Sequence, residues 1–147
     1  MQSFSTYTHI RANRSKVYKA LTTQTGLAGW LTSNCEVDDT TGGLVLFRFD
    51  DMIVTMQIEK LIQDREVVWR CVKQQYEVSG VPSYNDWIGT IIEFRLELNS
   101  DNTTTVHFIH EGLTPQLPSY QRSMISWTFF IERSLVSYLE DGVGQPA

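Results

Sequence analysis

Between Cys35 and Glu111 apolar residues recur at every second position in short runs, and no other feature limits the fold of this chain so strongly. A strand turns successive side chains to opposite faces, so alternation of period two marks a sheet with one dry and one wet face. The runs predict strands over 36–38, 44–49, 52–60, 66–73, 88–99 and 103–111. Four of the links between them, 40–43, 50–51, 63–65 and 100–102, are short and built mainly of turn-forming residues. Short links join antiparallel neighbours. The stretch 74–86, QQYEVSGVPSYND, is longer than a hairpin turn and carries Tyr76, Gly80, Pro82 and Tyr84. It reads either as a surface insertion or as a lid over a cavity mouth.

Parity sorts the strand residues into two sets. Val45, Phe47, Phe49, Met52, Val54, Met56, Ile58, Val67, Trp69, Cys71, Ile92, Phe94, Leu96, Leu98, Val106, Phe108 and His110 fall on one face. Arg48, Gln57, Glu59, Arg70, Glu93, Arg95 and Glu97 fall on the other, which suits solvent. A dry sheet face has to be covered, and the stretch 119–141 is the segment long and apolar enough to do it. At 100° per residue Tyr120, Met124, Trp127, Ile131, Leu135 and Tyr138 share one helix face, which Ile125, Thr128, Phe129, Val136 and Leu139 widen. Arg122, Ser126, Arg133, Ser137 and Glu140 form the wet stripe opposite. Pro118 and Ser119 mark the start, with Ser119 as N-cap, and Gly142 supplies a left-handed stop.

The amino-terminal part reads as a strand over 4–10 and a helix capped by Asn13 or Ser15, in which Val17, Ala20 and Leu21 recur at helical spacing. Thr25 and Gly26 are expected to break that helix, and a short second one over 27–31 carries Trp30. The pair resembles a helix-turn-helix in outline, but the second helix has no basic residue with which to read DNA. Its 147 residues fit one domain with a sizeable core. Lys and Arg number 12 against 17 Asp and Glu, a net charge of −5, which opposes binding to phosphate backbones and anionic lipid. No apolar run approaches the length of a membrane span, nor is there a signal-peptide core, so a cytoplasmic protein is expected. Cys35 and Cys71 lack the spacing of a redox or zinc motif and are expected to be reduced.

The local signatures of serine hydrolases, zinc proteases and nucleotide enzymes are absent. His107 and His110 stand an odd number of positions apart on one strand, so they face opposite ways and cannot share a metal. Neither metal nor cofactor is expected. His110, on the inner parity, is either a ligand-facing acid–base group or a core histidine satisfied by its neighbours. Glu132 lies within the wide apolar arc of the last helix, and a buried charge there would need a partner. Trp30, Phe47, Trp69, Trp87, Phe94, Tyr120 and Trp127 offer flat apolar surface with a few polar tips, and Met52, Met56 and Met124 adaptable surface. These residues suit a ligand pocket and suit core packing equally.

Several segments carry a family resemblance. They are Val17-Tyr18-Lys19-Ala20-Leu21-Thr22 with Trp30, Trp87-Ile88-Gly89-Thr90 with Ile92 and Phe94, and Thr104-Thr105-Val106 leading to Phe108-Ile109-His110-Glu111-Gly112-Leu113. Trp127 with Ser134-Leu135-Val136-Ser137-Tyr138-Leu139-Glu140-Asp141-Gly142 and Gly144 completes the series. In this order the segments resemble the SRPBCC superfamily, the START-like helix-grip proteins, in the branch named after activators of a heat-shock chaperone ATPase. The resemblance implies one START-like domain over 1–147. It is an α+β helix-grip fold, with a curved seven-stranded antiparallel sheet around a long C-terminal helix and two short helices between the first two strands. It further implies an apolar cavity between sheet and helix. The expected function is binding of a small apolar or amphipathic molecule, lipid-like or aromatic. Expected to line the site are Trp30, Phe47, Met56, Trp69, Trp87, Phe94, His110, Tyr120, Met124, Trp127 and Glu132. The alternatives are a cyclase- or hydrolase-type enzyme using His110 or Glu132, and a chaperone co-activator or other interaction module. The chain is expected to be a monomer or a homodimer.

Overall fold

A computed structural model describes residues 2–49, 52–76 and 85–147, with the side chain of Tyr76 left aside. The elements run β1 (Ser3–Ile10), α1 (Arg14–Thr22), α2 (Gln24–Trp30), β2 (Cys35–Val37), β3 (Leu44–Phe49), β4 (Met52–Ile62), β5 (Glu66–Tyr76), β6 (Ile91–Leu98) and β7 (Thr104–Glu111). A final helical run follows, made of α3 (Tyr120–Phe129), a π-helical segment (Phe130–Ser134) and α4 (Leu135–Asp141). The seven strands form one sheet in the order β1-β7-β6-β5-β4-β3-β2, with every neighbour antiparallel.

The sheet curves around the last helix. The helix touches β1 where the Thr6 hydroxyl donates to Glu132, β7 where Trp127 meets Phe108, and β3 where Phe130 meets Phe49. Strands near both edges of the sheet therefore reach one helix. Ile10, Val45, Phe47, Val54, Met56, Ile58, Val67, Trp69, Ile92, Phe94, Val106 and Phe108 share one core with Trp127, Ile131 and Leu135. Burying each such side chain contributes on the order of 1.5–3 kcal/mol, which makes this seam the main source of stability. This is the α+β helix-grip architecture that the family resemblance implies.

Several details differ from the expected pattern. Helix α1 ends at Thr22, and Thr23 closes it and caps α2, its hydroxyl accepting from Gly26 N–H at 3.0 Å. Gly26 thus belongs to α2 and breaks nothing: it lies against α1 so closely that a β-carbon would come within 2.6 Å of Ala20 Cα. Asn13, the first of the two candidate caps, accepts from Lys16 N–H at 2.9 Å. Ser119 makes no side-chain cap for α3, because its hydroxyl donates to Asp86 instead. Gly142 does stop the final helix in the left-handed region, φ 83°. Leu98 has inward parity but is 51% exposed at the end of β6, although its cross-strand partner Thr104 is buried. Ile125 is 65% exposed, because one helix against one sheet buries a narrower stripe than the sequence arc allowed. Pairing of β4 with β5 shifts register between Thr55 and Met56, where the partner jumps from Lys73 to Cys71. The extra residue breaks strict alternation and turns Gln74 inward.

Candidate functional site

Two groups of side chains fill the seam between sheet and helix. The first is a string of aromatic rings: Phe47 meets Trp69 at 5.5 Å, Trp69 meets Phe94 at 5.1 Å, and Phe94 meets both Trp30 at 6.4 Å and Phe108 at 5.3 Å. Phe108 then meets Trp127 at 4.6 Å. Trp30, Phe47, Met56, Trp69, Phe94 and Phe108 are fully buried. A void large enough for water would leave accessible surface on the groups around it, and these have almost none. Here the seam is packed as core.

The second group is polar and surrounds His110, where β7 ends beside α3. Trp127 Nε1–H donates to His110 Nδ1 at 3.1 Å, and His110 Nε2 lies 2.8 Å from Thr90 Oγ1. The Thr90 hydroxyl has its own acceptor, the Trp87 carbonyl at 2.6 Å. One hydroxyl proton cannot serve two acceptors, so Nε2 carries the imidazole proton and donates it to Thr90. Both ring nitrogens are then satisfied in the neutral form. Burial lowers the His110 pKa to about 3. A second proton would sit on Nδ1, facing the Trp127 N–H. His110 is accordingly a satisfied core histidine with no nitrogen left to exchange a proton with a ligand.

From this histidine the bonds continue outward. Trp87 stacks on Trp127 at 5.8 Å, and its Nε1–H donates to Ser123 Oγ at 2.9 Å. Ser123 donates to Ser119 at 3.1 Å, and Ser119 donates to Asp86 through both its hydroxyl, at 2.8 Å, and its backbone N–H, at 2.9 Å. Trp87 N–H donates to Gln74 Oε1 at 3.1 Å, and Gln74 Nε2 lies 3.5 Å from the Met52 sulfur. Phe49 pairs with Met52 across the β3–β4 hairpin and meets Phe130 at 6.2 Å, which returns the contacts to the final helix. Phe49, Met52, Gln74, Trp87, Ser123 and Phe130 thus form a ring at one end of the seam, which the final helix itself closes between Ser123 and Phe130. Phe49, Met52 and Phe130 in it are half-buried.

Of the residues expected to line a site, Trp87, His110 and Trp127 meet in this cluster. Trp30, Phe47, Met56, Trp69 and Phe94 lie deeper in the packed core. Tyr120 and Met124 are half-buried on α3, and Glu132 is exposed, accepting from the Thr6 hydroxyl at 2.9 Å. Glu132 does not face the seam; it shares its helix stripe with exposed Ile125. Thr90, Gln74 and Asp86 are partners the sequence reading missed. A serine pair four residues apart, Ser119 and Ser123, leading by another four to Trp127, was the available signal, because small polar groups on a buried helix stripe need partners. Burial raises the pKa of both free thiols, Cys71 to about 11, so neither is a nucleophile near neutral pH. The described residues contain no group of three or more His, Cys, Asp or Glu placed to hold a metal. The segment 77–84, the bulk of the suggested lid, lies outside the described residues. An open depression of about 730 Å³ lies elsewhere, along β1, β7 and β6, lined by Ser5, Tyr7, Arg95, Glu97, His107 and Ile109 among others.

A curved antiparallel sheet closed on a long terminal helix places the molecule among the helix-grip proteins. The chain belongs to the family of activator of Hsp90 ATPase homolog 1-like proteins, whose model matches residues 11–140. The Aha1 dimer from Colwellia psychrerythraea, solved in solution, is 30% identical, with a TM-score of 0.81 over 98% of this chain and 100% of that one. A crystal structure from Mesorhizobium loti is 14% identical, with a TM-score of 0.76 over 98% of this chain and 100% of that one. Another, from Staphylococcus saprophyticus, is 16% identical, with a TM-score of 0.73 over 99% and 98%. These two share the fold. No curated protein matches the sequence. No helix among the described residues is long and apolar enough to cross a membrane.

Proposed function

We propose that this chain is a non-enzymatic binding domain, one START-like unit over 1–147, that takes a small apolar or amphipathic molecule at the ring end of the helix–sheet seam. The observation that carries the reading is the ring itself: half-buried Phe49, Met52 and Phe130 stand over a packed aromatic interior. A flat or chain-like ligand enters by displacing the flexible Met52 side chain and spreading Phe49 from Phe130. Trp87 and Trp127 supply the apolar floor, and Met124 and Tyr120 extend the wall along α3. His110 holds the two indoles in place and performs no proton transfer. Buried, unpaired thiols suit a reducing compartment, which supports a cytoplasmic setting.

The test is thermal unfolding of the purified protein against fatty acids, sterols, flavonoids and aromatic polyketides. At a ligand concentration about 100 times Kd, linkage adds roughly 2.7 kcal/mol, which raises Tm by several degrees in a domain of this size. Met52→Lys is expected to abolish that shift while the unliganded Tm stays close to wild type. Absence of a shift across the whole panel overturns the reading.

A second reading is favoured by a separate observation, the dimeric state of the Colwellia relative at 30% identity over 98% of this chain. In that reading the chain works as a homodimer, whether or not a chaperone or another protein is its further partner.

A further inference from the structure

We infer that the free edge of β1 is a self-pairing surface, through which two copies join antiparallel about a two-fold axis at Thr6 and continue the sheet from one chain into the other. The inference rests on the homodimer reading and adds where the copies meet.

The sheet has two edges, β1 and β2. Strand β2 has three residues, and its Val37 N–H already donates to Gln24 Oε1 at 3.4 Å beside α2. Strand β1 has eight residues, Ser3–Ile10, paired with β7 without a register shift. Its sequence, SFSTYTHI, holds no Pro, Gly, Lys or carboxylate, the usual devices that keep an edge from pairing. In a chain of net charge −5 this strand itself carries no carboxylate to repel a second copy.

The hydrogen-bond phase shows which groups are offered. Gly112 N–H donates to the Gln2 carbonyl at 3.2 Å, so even-numbered residues of β1 turn their backbone groups toward β7. Ser3, Ser5, Tyr7 and His9 turn theirs to the open edge. Arg11, next in that phase, has its N–H taken by Glu140 Oε2 at 2.9 Å, and this carboxylate closes the far end. A two-fold register with Thr6 opposite Thr6 pairs Ser3 with His9 and Ser5 with Tyr7. All four residues of each copy then find partners, two bonds per pair, about eight in all. On the outer face the register sets exposed Tyr7 of one copy across from the small Ser5 of the other, at the rim of the depression that Ser5, His107 and Ile109 line. On the inner face it brings the two Glu132 carboxylates, each accepting from a Thr6 hydroxyl, to the same side of the axis.

The test uses the full chain and measures mass in solution by light scattering over a wide concentration range. Wild type is expected to be a dimer. Ser5→Lys, which places a charge on the exposed edge, and Tyr7→Pro, which removes an edge N–H, are expected to be monomers with unchanged circular dichroism. Glu132→Gln is expected to tighten the dimer at low salt. Thr6→Cys tests the register directly: facing Cα atoms of a non-hydrogen-bonded pair stand about 4.5 Å apart, within disulfide range, so mild oxidation should give a covalent dimer. Native Cys35 and Cys71 are buried and do not compete. A dimer that survives both edge substitutions, with no cross-link at Thr6→Cys, overturns the β1 assignment and leaves the homodimer reading standing. A monomeric wild type overturns both.

Discussion

His110 shows how neighbours settle the role of a titratable side chain. Sequence parity places it inside, where an imidazole is either a reagent or a strut. Trp127 and Thr90 decide between them by holding both ring nitrogens in the neutral form. The energetic consequence has a definite sign. The folded pKa, about 3, is below the ordinary 6.5, so as pH falls the unfolded chain takes up a proton that the folded chain refuses. This contribution to stability is fully present above about pH 6.5 and is lost between there and about pH 3. By pH 4 the loss amounts to roughly 3 kcal/mol. Urea unfolding of wild type and His110→Gln at about pH 7 and about pH 4 checks it: the wild type should lose the larger share on acidification. Equal losses in the two proteins would mean that His110 is solvated in the fold.

At the scale of elements, the final helix is not uniform. Its π-helical segment, Phe130–Ser134, holds one residue more per turn than an α-helix, and it sets the phase of α4. Ser134, the last residue of the segment, is fully buried and donates to the Trp30 carbonyl at 2.6 Å, the orphan acceptor at the end of α2. The same hydroxyl accepts from Gln145 N–H at 2.8 Å. One side chain thus ties α2, α4 and the segment after Gly142 together. Replacing it, as Ser134→Ala, leaves the carbonyl and the N–H without partners and should cost about 1–3 kcal/mol. Hydrogen exchange should also quicken at Gln145 more than at strand amides of β6. Protection at Gln145 equal to wild type would show that the hydroxyl is not what holds this segment.

For the molecule as a whole, self-pairing through β1 predicts a Tm that rises with protein concentration in the wild type and stays flat in Ser5→Lys. A flat wild-type profile would count against the dimer. The sequence by itself determined the seven strands, their inner faces and the covering helix, because solvent on one side of a sheet writes period two into every strand. It also determined the αL stop at Gly142 and the opposite faces of His107 and His110. It left open whether the aromatic residues line a hollow or fill it, since apolar parity is the same for both. The tertiary structure decided that by bringing Phe94, Phe108 and Trp127, distant in sequence, into contact. It turned Gln74 inward through a bulge that alternation cannot announce, and it joined Thr90, just before β6, to His110 on the neighbouring strand. It also placed Glu132 outside, where the arc of an isolated helix had put it within the apolar stripe. The reason is common to all of these: periodicity records how each residue faces water, whereas the partner of a buried group depends on register between segments far apart in the chain.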